Sequence, residues 1–169
     1  DTIRPRLDRA GADVSLVYIF DGIQTIEGGL DLFDLKDALH RDDLAGEMTR
    51  LGVSLLVIDP LTAYLGGVDS HRDSEVRGVL APLAEIAAST GCAVLAVRHL
   101  NKGSGGRAMY RAGGSIGFTA SVRSSLIVGQ LDEDSDERFV VGVKSNLAAL
   151  APAVGFSLEN GQFEWTKTM

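Results

Sequence analysis

The sequence predicts an α/β protein with a parallel core and antiparallel hairpin strands toward its C-terminal end. Three observations predict it. The run Leu55-Leu56-Val57-Ile58 ends in Asp59 and is closed by Pro60, which fits a strand covered on both faces by helices. A helical pattern over Ser74–Thr90 then leads to a second apolar run, Cys92–Val97, and strand, helix, strand in that order implies a right-handed parallel crossover. The remaining chain alternates strand-like runs with turn residues and includes Asn160-Gly161, a strong hairpin signal.

Taken in order, Thr2–Ala10 reads as a helix, with Ile3, Leu7 and Ala10 on one face and Pro5 in its first turn. Val14–Phe20 reads as a short strand turned out by Asp21-Gly22. Gly28-Gly29 marks a loop or hairpin within Ile23–Leu32. Asp34–Arg50 reads as a helix whose apolar stripe is Leu35, Ala38-Leu39, Leu44 and Met48, and Gly52 ends it. The strand ending in Asp59 follows, and Leu61–Asp73 reads as loop. Ser74–Thr90 carries Val76, Val79-Leu80, Leu83 and Ile86-Ala87 at helical spacing before Gly91. Pro82 sits in its interior, where a kink is expected. Gly103–Gly114 is glycine-rich and basic, the composition of a loop. Ser115–Val122 reads as a short helix. Ser124–Leu131, Arg138–Ser145, Ala153–Glu159 and Gln162–Thr166 read as strands, the first two joined by the charged turn Asp132–Glu137.

With 169 residues, the chain is long enough for one domain with a sizeable core. A hydrophobic content of 45% beside 23% charged residues is that of a globular protein in water. No apolar run is long enough to cross a bilayer, so no membrane partner is expected. No signal-peptide pattern opens the chain, and its single cysteine, Cys92, lies in an apolar run and reads as a buried core residue. Cytoplasm is the expected location. Because the chain opens on Asp1, we expect a fragment of a longer protein.

The net charge of −7 argues against general nucleic-acid binding, but its distribution matters more than its sum. From Ile86 to Leu131 there is no acidic residue, while Arg98, Lys102, Arg107, Arg111 and Arg123 all fall there. One basic tract in an acidic chain points to a local anion site.

Asp59 stands where its strand emerges at the carboxyl end, the edge at which open α/β sheets bind ligands. A carboxylate there suits Mg²⁺, which takes one or two carboxylates together with water and phosphate oxygens; a simple cap on the Pro60 turn is the other reading. The second strand runs out into Arg98-His99-Leu100-Asn101-Lys102. Parallel topology therefore puts His99 at the same sheet edge as Asp59. The three histidines, His40, His71 and His99, show no metal-ligand spacing.

The strand ending in Asp59, the strand ending in Arg98-His99-Leu100-Asn101-Lys102, the Arg111–Arg123 stretch and Val143-Lys144-Ser145-Asn146 follow one another in an order that resembles RecA-like P-loop ATPases. The likeness is to the RepA-type branch near hexameric replicative helicases, and it covers most of the chain. It implies a three-layer RecA-like sheet and makes residues 1–169 a single ATPase core fragment. It also implies an ATP-dependent DNA helicase or replication ATPase, with ATP and Mg²⁺ as its cofactors. Such a protein couples hydrolysis to single-stranded DNA in a self-associated ring, a hexamer by the same likeness.

By this resemblance Asp59 corresponds to the Walker B aspartate, and His99 to the sensor of the γ-phosphate region. The loops Gly66–Asp73 and Lys102–Gly114 correspond to DNA-contacting loops. In the second of them Lys102, Arg107 and Arg111 meet phosphates and Tyr110 stacks on a base. Lys144 resembles a cation that acts on a neighbouring subunit's nucleotide. Asn146 stands where many relatives carry an arginine, which puts that role in doubt or transfers it to Arg111 or Arg123. Arg123 equally suits a structural place at a strand start.

No G-x-x-x-x-G-K-[ST] occurs in the sequence, so the backbone cradle and lysine that hold phosphates are absent from these residues. The expectation is a piece that does not hydrolyse ATP by itself, within a parent that does. The alternative is a non-catalytic RecA-like module for DNA binding or assembly.

Overall fold

The computed structural model describes residues 2–25, 27–69, 72–99, 117–130, 136–159 and 161–168. The chain divides into two compact units, residues 21–121 and residues 1–20 with 122–169. Each is described by itself.

In the first unit, β1 (Ile23–Gln24) and β2 (Leu30–Asp31) form a small antiparallel hairpin. Helix α2 (Ala38–Leu51) is numbered after α1 (Ile3–Arg9), which belongs to the other unit. It starts later than its sequence pattern suggests. The Asp34 carboxylate accepts the Lys36 N–H at 2.8 Å and holds residues 34–37 in a turn, the local competition with helix that aspartate is prone to. Asp37 then caps the helix by accepting the Leu39 N–H at 2.8 Å. Leu44 and Met48 form its buried stripe, whereas Leu39, counted in that stripe from the sequence, is 73% exposed.

Strand β3 (Leu55–Ile58) and strand β4 (Ala93–Ala96) pair in parallel, Leu55 opposite Ala93 and Ile58 opposite Ala96. Between them come a 3₁₀ turn at Leu61–Tyr64, within the expected loop, and helix α3 (Asp73–Thr90). Gly91 in the left-handed region ends α3, as Gly52 ends α2. The short helix α4 (Gly117–Ser121) closes the unit.

The expectation that β3 is covered on both faces is not met. Leu56 and Ile58 join the core, but Leu55 and Val57 are 54% and 52% exposed. Among the described residues β3 pairs only with β4, and the apolar residues of α2 and α3 collect on the Leu56–Ile58 side alone. One cluster joins Leu35, Ile58, Leu61, Leu65, Val76 and Phe118, and a smaller one joins Leu44, Met48, Ile86 and Cys92.

In the second unit α1 carries Pro5 in its first turn. The strand expected at Val14–Phe20 is instead a 3₁₀ turn, Val14–Leu16. Asp13 accepts both the Ser15 N–H at 3.0 Å and the Ser15 hydroxyl at 2.6 Å, a local bond that replaces the ladder an isolated strand lacks. Strands β5 (Ser124–Gln130), β6 (Glu137–Ser145), β7 (Val154–Glu159) and β8 (Gln162–Thr168) form an antiparallel meander in chain order. This matches the hairpin strands read from the sequence. In the described residues, however, the meander is a ladder of its own, separate from the parallel pair, and not an extension of one mixed sheet. Phe156, Phe163 and Trp165 pack ring on ring across β7 and β8. Among the described residues no helix is long and apolar enough to cross a membrane.

Candidate functional site

The parallel register fixes the rim of the β3–β4 pair. The Val97 N–H donates to the Ile58 carbonyl at 2.8 Å, and the Leu61 N–H donates to the Val97 carbonyl at 2.9 Å. Asp59 and His99 are therefore delivered by neighbouring strands to one edge, with His99 Nε2 at 3.9 Å from Asp59 Oδ1. That separation is too long for a hydrogen bond but close enough for a protonated imidazole to pair with the carboxylate. Both side chains face water, His99 at 79% and Asp59 at 58% exposure.

Among the described residues His99 is the one polar partner of the Asp59 carboxylate, and no group of three acidic, histidine or cysteine side chains stands together. An all-protein metal cage is thus not what these residues offer. A single exposed carboxylate does suit Mg²⁺, which is held by few protein oxygens and keeps water and substrate phosphates as its other ligands.

Next to His99, the Arg98 guanidinium lies over the Phe118 ring, 3.7 Å from its centroid. Burial pulls the Arg98 pKa below its ordinary value, although an arginine stays charged throughout. Phe118 is buried in the same cluster as Ile58, the residue before Asp59. At the start of α4, the Gly117 N–H donates to the Asp73 carboxylate at 3.2 Å. In the sequence Arg98 stands out only as one cation of a basic tract; the aromatic residue that engages it lies twenty positions on, with no local signal linking them.

The segment after Asp59 is tied to the entry of α2. The Leu35 N–H donates to the Tyr64 carbonyl at 3.0 Å, Phe33 meets Tyr64 edge to face, and the Asp34 carboxylate sits against Gly66. Further along the loop Arg72 pairs with Glu75 at 3.2 Å.

Lys144 and Arg123 belong to the other unit. Lys144 Nζ donates to the Val122 carbonyl at 2.8 Å, and the Asn146 N–H donates to the Arg123 carbonyl at 2.8 Å. These bonds bring the end of β6 against the start of β5, so the two cations are close in the fold. Lys102, Arg107, Tyr110 and Arg111 lie outside the described residues, as does His71. Gly113-Gly114-Ser115-Ile116-Gly117 has the spacing of a nucleophile elbow, a match that the sequence pattern alone does not support. An elbow needs a strand running straight into it, and the Gly- and Arg-rich sequence before it carries no strand pattern.

A search of curated proteins gives no significant match. Among solved structures, the chain is similar to one titled as the ATPase domain of another protein, with a TM-score of 0.63 at 14% identity over 82% of this chain. The chain spans about half of that domain's length, 54%. At that identity the match speaks to the fold, a mixed arrangement of helices with parallel and antiparallel sheets. A family model described as an AAA domain (AAA_25) matches residues 1–105, more than half of the sequence and the part that holds Asp59 and His99. The chain belongs to the AAA domain family, with the RecA-like, helicase-type ATPase kinship that its strand-end residues imply.

Proposed function

We propose that the chain is part of an ATP-dependent DNA helicase or replication ATPase of RepA type, acting in the cytoplasm as one three-layer RecA-like core. The observation that carries the reading is the Asp59–His99 pair at 3.9 Å on the carboxyl edge of two parallel strands, the edge where such sheets take their ligands. Family membership over residues 1–105 supports it.

In this reading Asp59 holds the hydration shell of a nucleotide-bound Mg²⁺. The ion, when bound, neutralises charge on the phosphates, and positioning with charge neutralisation is most of what phosphoryl transfer asks of a protein. His99 stands beside Asp59 as a donor to an anion or an acceptor for water, the place of a sensor of the γ-phosphate. Lys144 and Arg123 supply cations to the nucleotide of an adjoining subunit in a hexameric ring. Lys102, Arg107 and Arg111 contact the phosphates of single-stranded DNA and Tyr110 stacks on a base. The phosphate loop comes from outside these 169 residues, so hydrolysis belongs to the longer protein.

The test is ATP turnover by that protein with and without single-stranded DNA. Asp59→Ala is expected to lower turnover by about 10²-fold or more and His99→Ala to uncouple it from DNA. Turnover that survives Asp59→Ala unchanged refutes the assignment. Nucleotide and DNA binding without hydrolysis in the wild type returns the chain to the non-catalytic reading.

A further inference from the structure

We propose that Arg98 is a positioning residue: by stacking on Phe118 it clasps the end of β4 to α4 and sets His99 against Asp59. The proposal rests on the Asp59–His99 pair being the working site, but it concerns the pair's geometry, which is measurable without nucleotide.

Three contacts carry it. The Arg98 guanidinium sits 3.7 Å from the Phe118 centroid, inside the range where a ring face attracts a cation, and more strongly where water is excluded. Phe118 is itself fixed, since it is 6% exposed and shares a cluster with Ile58, Leu61 and Leu65 on both sides of Asp59 in the chain. Gly117, its neighbour, is held by the Asp73 carboxylate at the start of α3 at 3.2 Å. The anchor for Arg98 is therefore part of the core that also fixes the Asp59 strand end.

His99 has no comparable support. Its ring is 79% exposed and its distance to Asp59 is beyond hydrogen-bond length, so its own contacts do not set its place. The last ladder bond on β4 is at Val97. Between that bond and His99 stands Arg98 alone, and holding Arg98 to a buried ring extends the order of the strand by the one residue that His99 needs. A salt bridge would not serve as well in that place, because Asp59 would compete for the cation. An aromatic face attracts the guanidinium and leaves the carboxylate open to its ligand.

The experiment follows the His99 ring by ¹³C–¹H NMR in the full 169-residue chain and asks how far Asp59→Asn moves its signals. In the wild-type background the removal of a charge 3.9 Å away is expected to give a clear shift. With Arg98→Leu, or separately Phe118→Leu, the response to Asp59→Asn is expected to fall at least about twofold, the non-additivity that marks coupled residues. Arg98→Lys keeps a cation above the ring and is expected to recover most of it. An undiminished response in Arg98→Leu or Phe118→Leu, or a loss in Arg98→Lys as deep as in Arg98→Leu, overturns the clasp. If one of the leucine variants does not fold, by far-UV circular dichroism, the other decides. Mg-ATP binding by the longer protein is measured separately. If it is absent while the coupling persists, the nucleotide reading fails and the clasp stands.

Discussion

The Val97 N–H meets the Ile58 carbonyl at 2.8 Å, and this last rung of the β3–β4 ladder lies one residue before Asp59 and two before His99. The ladder, and not packing of their own side chains, brings the acid and the imidazole together. Their removal should therefore cost chemistry and not stability. Asp59→Ala and His99→Ala are each expected to stay within about 0.5 kcal/mol of the wild-type unfolding free energy, measured by urea denaturation of the chain. A loss several times larger in either variant would make that residue structural.

The contrast between Leu35 and Leu39 tests the core in the same way. Leu35 is 0% exposed and sits in the cluster with Ile58 and Phe118, whereas Leu39 is 73% exposed on α2. Leu35→Ala is expected to cost about 3 kcal/mol through lost transfer energy and a residual cavity. Leu39→Ala should change stability by less than about 0.5 kcal/mol. Chemical denaturation of the pair distinguishes a core read from the structure from one read from periodicity, which places both residues inside.

How far the sequence was legible follows from the range of each signal. Caps and periodicity act over a few residues, so α3 with its Gly91 stop, the strands β3 and β4 and the meander β5–β8 were all readable. The parallel pairing of β3 with β4 came from topology, and with it the meeting of Asp59 and His99. Val14–Phe20 misled because its β-branched and aromatic residues promise a strand, while Asp13 and Ser15 form a bond two residues apart that no propensity weighs. The two-sided burial of β3 misled because apolar composition does not say how many helices arrive to cover it. Arg98 on Phe118 was illegible, being a contact between segments with no common pattern. The roles of Lys144 and Arg123 in nucleotide chemistry rest on the resemblance alone.

Two glycines separate backbone cost from side-chain cost. Gly91 has φ +70° with open space where a Cβ would stand, and Gly66 has φ +55° with the Asp34 carboxylate filling that space. Gly91→Ala is expected to cost about 1 kcal/mol, the penalty of the left-handed region for an L-residue. Gly66→Ala adds a collision to that strain and should cost about 2 kcal/mol or more. Equal losses in the two variants, by thermal or urea unfolding, would show that Asp34 moves aside freely.

Asp13 gives a pH signature. The Ser15 hydroxyl, and then the Ser15 N–H, hold its carboxyl below the ordinary carboxylate value of 3.8. A group whose folded pKa is lowered contributes stability above its unfolded pKa and loses it as pH falls through the folded one. The wild type should therefore melt above Asp13→Ala at neutral pH. The gap should narrow on acidification below the usual carboxylate range. Because the site is exposed, the expected gap is small. A gap that is constant from neutral pH into that acid range would mean the cap does not depend on the ionised form.

Lys144 presents two roles that one mixing experiment separates. Its Nζ donates to the Val122 carbonyl at 2.8 Å, so Lys144→Met should cost about 1 kcal/mol in the chain itself. If Lys144 also serves the nucleotide of an adjoining subunit, Lys144→Met and Asp59→Ala damage opposite sides of a shared site. Each variant of the longer protein alone should then be nearly inactive. Mixed one to one, roughly a quarter of the interfaces pair an intact Asp59 with an intact Lys144 in a head-to-tail ring, and ATP turnover should recover to a matching fraction of wild type. A mixture no more active than its components, with subunit exchange verified by mass spectrometry, would confine Lys144 to holding the end of β6 against Val122.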